Sequence, residues 1–218
     1  MYKEIKADIE LKLLGKLQAN CVIPSDAANN PRAVGDLVQN ASAKLLVNCF
    51  RPNLVTDFKV APTLRSMEDV SFSDSKGNYY FVDIKTHNVS TKFNMPNLTS
   101  VRSLAKFYEK DTNNFCILII EYRVTNVTGR ENKVEFKEVT FNLIEHLSWD
   151  CLTIGALGWG QIQIANSKNV VVSLKQKRKD WMLELCKRLE AFYPKEIKKI
   201  EEKRIGFFKG VESVWKNK

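Results

Sequence analysis

Histidine is nearly absent from this 218-residue chain. The two it has, His87 and His146, are too few for a histidine-rich metal centre or for a Ser-His-Asp hydrolase to be read from it. Cysteine is sparse and unpatterned: Cys21, Cys49, Cys116, Cys151 and Cys186 are widely separated and contain no C-x-x-C pair. Neither a disulfide framework nor a zinc site is indicated, and a reducing cytoplasm is expected. No apolar run approaches the ~20 residues of a membrane span, and the charged start Met1-Tyr2-Lys3-Glu4 is unlike a signal peptide. No membrane partner is therefore expected. Glycine clusters once, at Gly155, Gly158 and Gly160, but this G-x-x-G-x-G run precedes a strand pattern instead of opening a helix, which excludes a dinucleotide fingerprint. No internal repeat or low-complexity segment is present.

Positive charge, by contrast, is in excess. The formal net charge is +9 and the pI is near 9.3, a balance that suits a polyanionic partner, of which double-stranded DNA is the commonest. The excess is uneven. From Lys175 onward fourteen Lys and Arg face seven Asp and Glu, leaving +7. Such a run can be a solvated helix face or a phosphate-contacting arm.

The most informative stretch is Ser66 to Asn97. Two alternating runs, Asp69 to Ser73 and Tyr79 to Lys85, flank the turn formers Asp74-Ser75-Lys76-Gly77-Asn78, the pattern of a β-hairpin. Folding about Lys76 sets Asp69 opposite Asp83. Side chains alternate along a strand, so Lys85 shares the face of Asp83 while Val82 and Ile84 point to the other. Two carboxylates and an ammonium group then converge. Adjacent carboxylates repel, and such a site takes a proton, a cation or both. An oxygen-ligand dication such as Mg²⁺ is the natural third party. The bland alternative is a surface ion pair between Asp83 and Lys85, worth about 0–1 kcal/mol.

The spacing Asp69 … Asp83-Ile84-Lys85 resembles the D-(D/E)-x-K core of the PD-(D/E)xK nucleases, with Glu68 standing where the name-giving proline would be. The run Thr86 to Asn97, THNVSTKFNMPN, resembles the segment that follows the catalytic lysine in type II restriction endonucleases of the EcoRV-like branch, the HincII type. The likeness continues in the same order along the chain, through Gly35-Asp36 opening a helix, Trp159 followed by Gln161-Ile162-Gln163, and Arg178-Lys179-Asp180-Trp181 before a basic tail. What it implies is an Mg²⁺-dependent enzyme that hydrolyses both strands of double-stranded DNA at a short palindromic site and leaves 5′-phosphate ends. By the same likeness Asp69, Asp83 and Lys85 are catalytic, with Asp69, Asp83 and the carbonyl of Ile84 holding metal and Asp36 a possible accessory acid. Lys92, Phe93, Asn94 and Asn97 are implied DNA contacts, Asn94 by insertion between bases. Gln161, Gln163 and Asn166, on a glycine-loosened segment, carry amides suited to adenine edges. The family further implies a homodimer, because two-fold DNA is met by two-fold protein, and a cognate DNA methyltransferase in the same host. Two alternatives stand beside it: a repair or junction nuclease of the same fold, and a basic DNA-binding protein that does not cleave.

The expected fold is α/β, a restriction-endonuclease-like mixed sheet of five or six strands with helices on both sides, in one domain spanning 1–218 whose C-terminal part, about 175–218, is basic and helical. Helices are expected over Tyr2 to Ala19, Val34 to Phe50, Asn97 or Thr99 to Lys110, Asn142 to Leu147, Gln176 to Phe192 and Pro194 to Trp215. Strands are expected at Val55 to Val60, Phe115 to Ile120 (central, because it is apolar throughout), Lys133 to Leu143, around Gln161 to Gln163, and Asn169 to Leu174.

Overall fold

A run that alternates sends side chains to two faces of a sheet, and a run apolar throughout must be covered on both. In the computed structural model, which describes residues 1–21, 24, 30–61, 67–91, 96–127, 131–165 and 170–218, that rule sets the layers. Numbered along the chain, the strands are β1 (Val55–Val60), β2 (Val70–Asp74), β3 (Tyr79–Asn88), β4 (Asn97–Ser100), β5 (Asn113–Val127), β6 (Glu131–Leu143), β7 (Leu152–Gly155) and β8 (Gln161–Ile164). Five of them form a mixed sheet in the order β1-β2-β3-β5-β6, and β4-β8-β7 form a separate three-stranded sheet. Within the main sheet only β3 and β5 are parallel.

The faces of β3 and β5 belong to two cores. Tyr80, Val82 and Ile84, with Cys116, Leu118 and Ile120, pack against α1 (Tyr2–Asn20) and α2 (Pro31–Leu46). Ile5, Ile9, Leu13 and Leu17 recur at helical spacing and are fully buried along α1. That helix also satisfies the outer edge of the sheet: Phe141 N–H donates to Glu10 Oε1 at 2.8 Å, and Lys6 Nζ donates to the Phe141 carbonyl at 2.8 Å. On the opposite face Phe115, Ile117 and Ile119 pack against β4, β8, α3 (Val101–Phe107) and the first half of α4 (Arg178–Lys199). There Trp149 and Trp181 stack at 4.7 Å, and Trp181 Nε1 donates to the Leu147 carbonyl at 2.9 Å. The two cores share the main sheet, so the chain is one mixed α/β domain with helices on both sides.

Four expectations are corrected. The second helix begins at Pro31, three residues before Val34, because Asn30 Oδ1 accepts from the N–H groups of Arg32 and Ala33 and Pro31 fits the first turn. Asn97 and Thr99 do not cap a helix. They lie in β4, paired with β8, and the helix starts only at Val101. The strand expected up to Leu174 is reduced, among the described residues, to one bridge between Leu147 and Val172. Pro194 does not start a helix either: it lies inside α4, which loses one hydrogen bond there and continues through the helix formers on both sides. A π-helical turn at Ile200–Ile205 then leads into α5 (Gly206–Lys216). Beyond Leu185 no residue is buried, and Phe207, Phe208 and Trp215 stand about two-thirds exposed. Among the described residues no helix is long and apolar enough to cross a membrane.

Candidate active site

The turn formers fix the hairpin. Asp74 Oδ1 accepts from the N–H groups of Lys76 and Asn78, its Oδ2 from Asn78 Nδ2 and the Tyr80 hydroxyl, and Gly77 takes φ 81°. The β2–β3 register that results pairs Val70 with Val82. Asp69, one residue before β2, therefore lies opposite Asp83, and its N–H donates to the Val82 carbonyl at 2.9 Å. Its carboxylate is held at both ends. Oδ2 accepts the Ile84 N–H at 2.6 Å, and Oδ1 accepts Gln39 Nε2, from α2, at 2.7 Å.

Asp83 is only 7% exposed. Its Oδ1 accepts Lys85 Nζ at 2.7 Å, while Oδ2 is buried and has no hydrogen-bond partner among the described residues. This is no surface ion pair: the two side chains are 9% and 21% exposed. A buried carboxylate oxygen left unsatisfied is costly and calls for an explanation. Burial pushes the Asp83 carboxyl up to about 7, with the Asp69 charge adding to the rise and Lys85 opposing it. Glu68, half-buried beside Asp69, is likewise raised, by burial first.

The titration of Asp83 has a measurable consequence. Because its folded value near 7 lies above the ordinary 3.8, the folded chain holds a proton between those values that the unfolded chain releases, so this group lowers stability as pH rises through that window. In cation-free buffer, the stability of Asp83→Asn relative to the natural chain should therefore grow by about 4 kcal/mol at most between roughly pH 4 and pH 8. Urea unfolding across that range measures it, and a constant difference would assign the titration elsewhere.

A divalent cation fits this donor set in one respect and is limited in another. The fit is the buried, unpartnered Asp83 Oδ2 on a residue that lies opposite Asp69 across the hairpin, among the described residues. In addition, the N–H and C=O of a strand residue leave on the same side, so the Ile84 carbonyl points with its N–H toward Asp69. The limit is that, among the described residues, no three His, Cys, Asp or Glu side chains converge. Two carboxylates and a carbonyl suit Mg²⁺, which keeps several waters, better than Zn²⁺ or a Ca²⁺ cage.

Of the other residues singled out by sequence, Asn97, Gln161 and Gln163 come together. β8 buries Ile162 and Ile164 and turns Gln161 and Gln163 outward. Asn97 pairs with Gln163, whose Nε2 donates to Asn97 Oδ1 at 2.6 Å. Gly155, across the strand pair, leaves room for that amide. Asp36 is exposed on α2. Lys92, Phe93, Asn94 and Asn166 lie outside the described residues. Gln39 carries no motif of its own, and only the packing of α2 on β3 brings it to Asp69.

No family model matches this chain, and no curated protein matches it. Among solved structures, NlaIV restriction endonuclease aligns with 68% of the chain at 16% identity and a TM-score of 0.42. The chain spans 58% of the length of that enzyme's chain.

Proposed function

We propose that this protein is an Mg²⁺-dependent endonuclease that hydrolyses phosphodiester bonds of double-stranded DNA, in the manner of a type II restriction endonuclease. The observation that carries the reading is the pair Asp69 and Asp83 with Lys85 beside it and one buried carboxylate oxygen unpartnered. Asp69, Asp83 and the Ile84 carbonyl would hold the cation. When bound, Mg²⁺ neutralises the scissile phosphate and acidifies a water. Lys85 keeps its ammonium against Asp83 Oδ1, where it lowers the cost of ionising that carboxylate and offers a positive charge to the reacting phosphate. Asp36, exposed on the same helix as Gln39, is a candidate accessory acid.

The partner follows from charge and amides. Net +9 favours a polyanion, and Asn97, Gln161 and Gln163 present amides suited to base edges from one small sheet. Lys92, Phe93, Asn94 and Asn166, outside the described residues, are proposed DNA contacts from the sequence alone. Cutting both strands of a palindrome to leave 5′-phosphates calls for two copies related by a two-fold axis. The exposed Phe207, Phe208 and Trp215 of α5 supply apolar surface for such pairing. The same reading places the protein in the cytoplasm, with a DNA methyltransferase protecting the host's own sites.

The test is digestion of a plasmid of known sequence with Mg²⁺, sequencing of the ends, and sedimentation of the protein alone. Discrete fragments with 5′-phosphates and a dimer are expected. Cutting only at flaps, junctions or mismatches would transfer the reading to a repair nuclease. Intact plasmid with tight binding would leave a DNA-binding protein, and a monomer that only nicks would remove the two-fold part.

A further inference from the structure

We infer that Gln39 is the positioning residue of the acidic site, the group by which α2 fixes the Asp69 carboxylate for a cation without adding a third negative charge. This rests on the reading of Asp69 and Asp83 as a cation-holding pair.

The geometry starts with Gly35. A Cβ there would lie 3.0 Å from Thr86 Oγ1 on β3, so glycine lets α2 run close over the strand that carries Asp83 and Lys85. Gln39 follows one helical turn later, four residues on, and projects from the same helix face. Val34 and Val38, fully buried, lock the rotation of the helix about its axis. At that position Gln39 Nε2 reaches Asp69 Oδ1 at 2.7 Å while the Ile84 N–H holds Oδ2 at 2.6 Å. One donor on each oxygen leaves the carboxylate no free rotation about its last bond. A ligand oriented in this way meets a cation with its lone pairs already aimed, and partners of this kind typically govern about 10- to 100-fold in metal affinity.

The amide is also the right chemical type. A carboxylate of the same length would stand against Asp69 Oδ1, where Gln39 Nε2 now donates, and would set one negative charge directly against another. An ammonium would satisfy Asp69 and compete with the cation. Only a neutral donor orients without doing either.

The experiment is calorimetric titration of Mn²⁺ into the cation-free protein without DNA, for the natural chain, Gln39→Ala, Gln39→Met and Asp83→Asn, alongside thermal unfolding of each. Gln39→Met keeps the side-chain length and removes the donor, so it separates lost orientation from lost packing. Both Gln39 variants are expected to bind Mn²⁺ about 10- to 100-fold more weakly while unfolding within a few degrees of the natural chain when cation-free, and to lose most of the Mn²⁺-induced rise in unfolding temperature. Asp83→Asn is expected to bind weakest. Mn²⁺ affinity within two-fold of the natural chain in Gln39→Met overturns the role of Gln39 and leaves the cation site standing. A natural chain that binds no Mn²⁺, or binds it no better than Asp83→Asn, overturns both.

Discussion

Lys85→Ala and Asp83→Asn should each reduce DNA cleavage by roughly 10²–10³-fold or more while changing DNA affinity little. The two groups act on the same few ångströms of the site but fail for different reasons. Asp83→Asn removes the charge and keeps the shape, so the oxygen left unpartnered at Oδ2 becomes part of a neutral amide. Lys85→Ala removes the one hydrogen-bond donor that the Asp83 carboxylate has among the described residues. A buried carboxyl already pushed up to about 7 then rises further and stays protonated at neutral pH. Raising the pH should therefore recover part of the activity of Lys85→Ala and none of Asp83→Asn. Rates measured under single-turnover conditions, with filter binding as the control, decide it. Cleavage near the natural rate in either variant would remove Asp83 and Lys85 from the chemistry.

The largest stability loss is expected at Arg178, well away from the acidic pair. Arg178 Nε donates to Glu145 Oε1 at 2.9 Å, its other nitrogens to Asn114 Oδ1 and the Asp111 carbonyl, and its guanidinium lies 4.3 Å over the Tyr108 ring. Glu145 is 3% exposed and takes its second bond from the Tyr108 hydroxyl at 2.7 Å. Arg178→Ala strands that carboxylate, and breaking a buried pair from one side typically costs about 3–5 kcal/mol. Arg178→Lys should recover only part, since an ammonium cannot reproduce the planar fork. Arg178→Met combined with Glu145→Gln should recover more, because no charge is left unpaired. Urea unfolding of the three variants checks the order. A loss under about 1 kcal/mol for Arg178→Ala would mean that water replaces the guanidinium and the network is not a buried one.

How much of this was legible in the sequence depends on the distance over which each contact acts. The hairpin register could be read because Asp74, Gly77 and Asn78 make its turn locally, and the position of Asp69 opposite Asp83 follows from counting. That β5 is covered on both faces could be read because FCILII leaves no polar face to show to water, although β3 and not β5 is the middle strand of the five. The site beyond the hairpin could not. Gln39 meets Asp69 across thirty residues through helix-on-sheet packing, and nothing in its neighbourhood marks it. Asn97-Leu98-Thr99-Ser100 reads as a helix entry because Asn, Thr and Ser are cap formers. Its strand partner lies more than sixty residues further on, and the pairing serves to cover Phe115 and Ile117 with Leu98, Ile162 and Ile164. Pro194 misleads for the opposite reason: on an exposed helix, strong helix formers on both sides outweigh one lost bond.

The Ile84 amide has a use beyond orientation. Most inward N–H groups of a β-ladder report on the strand beside them, but this proton is held by a side-chain carboxylate at 2.6 Å. Its chemical shift and its rate of exchange with deuterated solvent therefore depend on what Asp69 holds. A proton or a cation on that carboxylate draws electron density from the hydrogen bond and loosens it, while the flanking amides of β3, bonded to backbone carbonyls, stay as they were. A single resonance in a ¹⁵N-labelled sample thus serves as an intrinsic sensor of occupancy at the acidic pair, readable without substrate, dye or turnover.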